Sequence, residues 1–165
     1  MSASRRITAT DNAALLASLH RQCFEDSWDE ASFRSLLAGQ GVFALTAKDA
    51  SATESQSFIL IQVAAEQSEI LSIGTVPGAR RSGLARVLLS EASAEALARK
   101  AQEMFLEVAE DNSAALSLYS TAGFVISGHR RSYYRRPGGL MIDALMLRTP
   151  LPLRGHGNDA PSPLG

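Results

Sequence analysis

Residues 69–89, "EILSIGTVPGARRSGLARVLL", change character twice within three turns of chain. "EILSIGT" is short, apolar and β-prone, so it reads as a strand, in which Gly74 marks a bulge or the close approach of another backbone or a ligand. From Leu84 onward the apolar positions Leu84, Leu88, Ala92 and Ala96, with Val87 beside them, recur on one face of a helix that runs to about Lys100. Between strand and helix stands a turn holding Arg80, Arg81, Ser82 and Gly83. A helix start leaves backbone N–H groups without partners and carries partial positive charge, so it attracts anions. A glycine at that point lets phosphate oxygens approach the backbone closely.

The flanking sequence supplies a sheet for this unit. Upstream, Arg5 to Thr10 reads as a strand that stops at Asp11 and Asn12, both good helix caps, and Leu15, Leu19 and Cys23 then form an apolar helix face. Asp29 is placed to cap a second helix, with Trp28 and Phe33 in the positions of a hydrophobic staple and Gly39 and Gly41 after its end. Residues 42–47 and 58–65 read as a hairpin with a long, mobile polar loop. Downstream, 104–109 is a strand. Asn112 caps a helix with Ala115, Leu118, Tyr119 and Ala122 on one face, Gly123 closes it, and 124–134 and 141–148 are the last strands. The order predicts a mixed α/β domain built on one sheet. It spans residues 1–148, and the Pro- and Gly-rich residues 149–165 are expected to form a disordered tail.

Composition narrows the function classes. A chain of 165 residues with 45% hydrophobic and 20% charged residues is one globular domain. Its formal net charge of −1 gives no global attraction to nucleic acid, so direct nucleic-acid binding is not expected and any anion site must be local. Arg130, Arg131, Arg135 and Arg136 read as solvated turn residues ahead of an anion-binding patch. Cys23 is the only cysteine, which excludes an internal disulfide and a thiolate metal cluster. It lies on the apolar face of the first helix and reads as a buried small hydrophobe. His20, His129 and His156 have no ligand spacing, so no metal is expected. No apolar run has the length of a membrane span and residues 1–12 lack the apolar segment of a secretory signal, so a cytoplasmic protein is expected.

Which phosphate the turn holds is decided by elimination and then by pattern. Gly78 and Gly83 have the spacing of a P-loop, but Leu84 and Ala85 stand where lysine and a hydroxyl residue are required, and the dinucleotide fingerprint G-x-G-x-x-G is absent. What remains is Arg-x-x-Gly-x-Ala, from Arg80 to Ala85, between a strand and a helix. This resembles the Gln/Arg-x-x-Gly-x-Gly/Ala pattern with which the GNAT acetyltransferases bind the pyrophosphate of acetyl-coenzyme A. "FLEVAEDNSAALSLYSTAGF", "HRRSYYRR" and "DALMLR" follow in that family's order and spacing. The run "LEV…N…A…LY…GF" with paired tyrosines after it is most similar to the RimI-type ribosomal-protein-alanine N-acetyltransferases. The resemblance covers about residues 5 to 148 and is strongest from 69 to 147.

The resemblance implies a central mixed, mostly antiparallel sheet of about seven strands, splayed between the fourth and fifth, with about four helices on its faces. It implies acetyl-coenzyme A as co-substrate. Glu107 becomes the general base and Tyr119 the acid that protonates the departing thiolate. Ile73, Gly74 and Thr75 become the strand edge along the pantetheine arm, Arg80, Arg81, Ser82, Gly83, Leu84, Ala85 and Arg86 the pyrophosphate turn, and Asn112 a further contact to the coenzyme. Trp28, Tyr133 and Tyr134 become walls of the acceptor groove, although simple strand alternation would send the two tyrosines to opposite faces. The residues themselves leave plainer readings open: alternation permits a solvated Glu107, and Tyr119 shares a core-facing helix side. Val76 before Pro77, Ala85 and Gly74 depart from the family's commoner residues. The acceptor implied is the N-terminal alanine of a small-subunit ribosomal protein, and a monomer is expected. An α-amine of pKa ~8 is about a tenth neutral at pH 7, whereas a lysine near ~10.4 is almost wholly charged, so a carboxylate base suits the former. A lysine or small-molecule amine acceptor, or a non-catalytic coenzyme A-binding module, keeps the same fold.

Overall fold

The structure is a computed structural model that describes residues 4–154. Strands β1 (Arg5–Thr10), β2 (Val42–Asp49), β3 (Ser57–Ala64) and β4 (Gln67–Thr75) form an antiparallel half-sheet. Strands β5 (Glu103–Ala109), β6 (Val125–Arg135) and β7 (Met141–Pro150) form a second one. The two halves join in parallel through β4 and β5, giving one sheet in the order β1-β2-β3-β4-β5-β7-β6. That join is short: Gln67, Ser68 and Glu69 face Glu103, Met104 and Phe105, and then the strands part. Helices α1 (Ala13–Cys23), α2 (Glu30–Leu37), α3 (Leu84–Ala98) and α4 (Ser113–Thr121) complete the expected mixed fold.

The run "FILI" in β3 is apolar throughout because both faces of the sheet are covered. Ile59 and Ile61 pack with Leu84, Leu88, Leu89 and Ala92 of α3 and Tyr119 of α4. Their neighbours Phe58 and Leu60 pack with Leu16 and Leu19 of α1 and Phe33 of α2. Two cores therefore sit back to back across one central strand. Each of the three capped helices starts where its cap residue predicts. Asn12 Oδ1 accepts the Leu15 N–H at 3.0 Å, Asp29 Oδ1 that of Ser32 at 2.8 Å, and Asn112 Oδ1 that of Ala115 at 3.2 Å. Such a cap contributes on the order of 1 kcal/mol. Trp28 and Phe33 close the staple, with ring centroids 5.6 Å apart.

Three expectations need correction. The buried stripe of α1 is Ala13, Leu16, Ala17, Leu19 and His20, with Leu15 and Cys23 only half-buried beside it. His20 belongs inside because its Nδ1 accepts the Trp28 N–H at 3.1 Å and its ring stacks on Trp28 at 4.8 Å, within an aromatic group that includes Phe24 and Phe33. The domain also runs past residue 148. Thr149 is 3% exposed, Thr149 and Pro150 pair with Met104 and Glu103, and Leu151 and Leu153 pack against the core. They lie beside the start of β5, where the Leu151 N–H donates to the Gln102 carbonyl at 2.8 Å; the rest of the expected tail, residues 155–165, lies outside the described residues. The β2–β3 loop, finally, is tied back, since the Gln56 side chain accepts the Asp49 N–H at 2.9 Å and the Gln56 N–H donates to the Ala47 carbonyl at 2.9 Å.

Gly74 is neither a bulge nor a left-handed turn. The bulge lies three residues earlier, where Ile70 and Ser72 pair with Ile61 and Leu60 and leave Leu71 over. At Gly74 a Cβ would meet Cys23 Sγ and Phe58 Cε1 at 2.9 Å each, so glycine is required by α1 and β3 pressing on the strand. We expect Gly74→Ala to lower unfolding free energy by about 1–3 kcal/mol in denaturant titration, and by less when Cys23→Ala is present as well. Burial lowers the pKa of His20 from its ordinary 6.5. As pH falls through that value the unfolded chain takes up a proton that the folded chain resists, so stability is lost on acidification. His20→Gln should flatten this part of the pH dependence, which sets in as pH falls below the ordinary 6.5, in the same titration.

Candidate functional site

Where β4 and β5 part, the backbone of β4 from Ile70 to Thr75 keeps β3 on one side and has no ladder partner on the other. The bulge at Leu71 sits at this opening and resets the alternation of β4. Ile70 and Ile73 both reach the α3 and α4 core, while Gly74 turns toward Cys23. Bulges commonly re-aim a strand beside a site in this way.

Beyond Thr75 the chain turns into α3 through a tightly tied loop. Arg80 Nε donates to the Thr75 carbonyl at 3.1 Å, and Ser82 Oγ donates to the Ala79 carbonyl at 2.5 Å. Arg81 and Gly83 both take left-handed backbone angles, with φ of 63° and 84°. Gly83 caps α3 without a side-chain hydrogen bond. The first backbone bond of the helix runs from the Val87 N–H to the Gly83 carbonyl, at 3.1 Å. The amides of the first turn, Leu84 to Arg86, therefore point out of the helix start with Arg80, Arg81 and Arg86 exposed around them.

A cleft of about 890 Å³ joins these parts. It is lined by Ile73, Gly74 and Thr75 of the open strand edge, by Arg80 to Arg86 of the turn, and by Asn112, Leu118 and Tyr119 across from them. All the residues assigned from sequence to the strand edge and the phosphate turn thus come together, and Asn112 and Tyr119 join them. Tyr119 is 3% exposed, packed edge-on against Phe124, and burial raises its phenol far above the usual tyrosine range.

Glu107 lies on the other face of the sheet. Its neighbours Leu106 and Val108 enter the α3 and α4 core, so its carboxylate points away from them, where it pairs with Arg130 Nε at 3.2 Å. Glu69 occupies the same face on β4, level with Phe105, and is half-buried. Burial and the nearby Glu107 charge both raise its pKa. The two carboxylates flank the mouth of the split from its two strands.

Tyr133 and Tyr134 do not alternate across the sheet. Four residues, Arg130 to Tyr133, occupy the space before Tyr134 that two positions occupy on β7, and Ser132 takes a left-handed φ of 52°. The extra residues bring the rings into edge contact at 5.1 Å, and Arg130 lies 5.3 Å over the Tyr133 ring. Both tyrosines are therefore gathered near Glu107, whose charge contributes to the raised pKa of Tyr134 after burial. Trp28, expected in a wall of the acceptor groove, is not among the residues lining this cleft and instead borders a separate, shallower cavity with Asp29, Ser32 and Leu36. Its N–H bond to His20 and its staple with Phe33 hold it inward, and from that segment Cys23 and Phe24 reach the cleft instead. Cys23 is half-buried, and burial raises its thiol pKa against the opposing pull of Arg80.

Sequence reading missed Glu69, Arg130 and the cleft-facing side of Cys23. Alternation in "EILSIGT" marks Glu69 as the polar side of a strand, but nothing local places it opposite Glu107. Glu110, His129 and Asp143 bring ligand-type atoms within 4.8 Å of one another at the surface. Asp143 already accepts the Ser132 N–H at 2.7 Å and holds His129 Nε2 at 2.6 Å, so it serves to pin the β6 bulge.

Residues 14–124 match the acetyltransferase (GNAT) family. The chain is 31% identical over 124 residues to the ribosomal protein bS18-alanine N-acetyltransferase of Salmonella typhimurium, covering 75% of this chain and 81% of that protein. It is 33% identical over 141 residues to the N-alpha-acetyltransferase RimI of Mycobacterium tuberculosis, covering 83% and 85%. The crystal structure of the ribosomal-protein-S18-alanine N-acetyltransferase from Escherichia coli superposes with a TM-score of 0.81 at 25% identity, over 94% of this chain and 99% of that one. Arabidopsis thaliana NAA60 in complex with acetyl-CoA shares the fold, with a TM-score of 0.76 at 18% identity over 90% and 99%. Among the described residues no helix is long and apolar enough to cross a membrane. With the family match spanning well over half its length and full-length relatives above 30% identity, the chain belongs to the GNAT family of acetyltransferases.

Proposed function

We propose that this chain transfers the acetyl group of acetyl-coenzyme A to the α-amine of a protein N-terminus, with the N-terminal alanine of a small-subunit ribosomal protein as its acceptor. The names of its relatives support the acceptor, and the position of Glu107 and Tyr119 on opposite faces of one split in the sheet supports the chemistry. The coenzyme fits the residues present. Uncapped amides at the α3 start and three exposed arginines suit a pyrophosphate, and an unpaired strand edge suits the amides of a pantetheine arm.

In this reading the thioester lies in the opening between β4 and β5. Glu107, on the acceptor side, takes a proton from the incoming ammonium, directly or through a water. The neutral amine attacks the carbonyl carbon, whose oxygen gains charge beside the free N–H groups of the β4 edge. The new C–N bond forms, the C–S bond breaks, and the thiolate leaves on the Tyr119 side. The second proton of the former amine passes to solvent, from which Tyr119 is reprotonated after it has served the sulfur. Burial keeps the Tyr119 phenol protonated, so it has a hydrogen bond and a proton to give to that sulfur. Arg130 must release Glu107 when the ammonium arrives, and Glu69 adds negative charge at the mouth that favours a cationic acceptor. Holding amine and thioester in line supplies the rest of the rate. A thiol does line the cleft at Cys23, but its raised pKa keeps it protonated and unreactive, which favours direct attack over an acetyl-enzyme.

Acetylation of a panel of short peptides, followed by mass, tests the acceptor. Peptides beginning with alanine should gain one acetyl group, and the same peptides with a blocked α-amine and a free lysine should gain none; the reverse result overturns the α-amine reading. Glu107→Gln and Tyr119→Phe should each lower kcat by about 10²–10⁴ while coenzyme A still raises Tm. Cys23→Ala should still turn over, whereas an acetyl-thiol intermediate would make that enzyme inactive.

A further inference from the structure

Arg5 opens β1, three strands away from β4, yet it reaches the phosphate turn. Its Nη2 donates to the Ser82 carbonyl at 2.5 Å, and the same nitrogen lies 3.0 Å from where a Cβ at Gly83 would be. Its Nε is the one buried side-chain nitrogen or oxygen among the described residues that lacks a hydrogen-bond partner. Asp49 sits opposite Arg5 in the β1–β2 register, but none of the ion pairs among the described residues includes Arg5. A partly buried guanidinium with no carboxylate within salt-bridge distance is costly, and a bond to a neutral carbonyl does not cancel its charge.

The missing negative charge is what a pyrophosphate on the cleft side of the turn would supply. We infer that Arg5 is a positioning residue of the phosphate turn, bracing it from behind, an inference that rests on the coenzyme reading above. Arg5 does not line the cleft, so it acts through the backbone. By holding the Ser82 carbonyl back, it turns the following amides toward the cleft, and it places a positive charge behind them in addition to Arg80, Arg81 and Arg86. The contact also adds to the left-handed φ of 84° as a reason for glycine at 83, because a Cβ there would crowd the guanidinium at 3.0 Å and push it from its place.

The test compares two donors that carry the same thioester. Acetyl-coenzyme A presents phosphates, and S-acetyl-pantetheine does not. Arg5→Met should raise KM for acetyl-coenzyme A about tenfold, with kcat near that of the unmodified chain, since one charge-assisted contact is lost. Its kcat/KM with S-acetyl-pantetheine should not change. Arg5→Lys, which keeps the charge and the apolar stem, should recover part of the KM, and the salt dependence of coenzyme A binding should weaken in Arg5→Met alone. Equal losses with both donors, or no change in KM for acetyl-coenzyme A, would overturn the inference. Calorimetry of the unmodified chain with coenzyme A separates the two readings. No binding there removes the coenzyme site itself, whereas binding that Arg5→Met leaves intact removes only the role of Arg5.

Discussion

A sheet whose two middle strands bond over three residue pairs and then diverge has backbone donors and acceptors at its centre that no other strand satisfies. Buried peptide groups without partners are costly, so such an opening persists only where water or a ligand can reach it. Each neighbouring element serves to keep it open and shaped. The bulge at Leu71 turns β4 as it enters the gap, Gly74 lets α1 approach to within contact, and α3 and α4 cover one side. The cleft is thus a property of the sheet itself.

Charge is divided along this opening in a way that matches the proposed reaction. The end toward α3 gathers Arg80, Arg81 and Arg86 around the turn, with Arg5 behind it. The opposite face gathers Glu69 and Glu107, with Arg130 as the counter-ion of the second. A polyanionic donor and a cationic acceptor would each be drawn to a separate end, and the near-neutral whole, at −1, would leave neither misdirected. The acidic and phenolic groups of the proposed chemistry also sit in contrasting surroundings. Tyr119 is enclosed and keeps its proton, while Glu107 stays near solvent and an arginine.

Much of this was legible in the linear chain because it depends on short-range rules. Caps at Asn12, Asp29 and Asn112, the Trp28–Phe33 staple and the strand-turn-helix around Gly83 each involve residues within a few positions of one another. What could not be read depends on register between distant segments. The bulge at Leu71 exists only relative to β3, and the gathering of Tyr133 with Tyr134 exists only because β7 is shorter across the same span. Glu69 and Glu107 are brought together by strand order, and Arg5 meets Ser82 only because its long side chain reaches the turn before α3. His20 inverted a composition rule, since a polar residue became core once one backbone N–H met its ring nitrogen.

β6 is the outer strand of its half of the sheet and is exposed along most of its length. Its ladder to β7 is broken in two places, and it carries Arg130, Arg131 and Arg135. An open strand edge is a template for addition of another chain, and irregular pairing with like charges is a common safeguard against it. The feature that collects the two tyrosines beside Glu107 therefore has a second effect: it denies foreign strands a straight edge to zip onto.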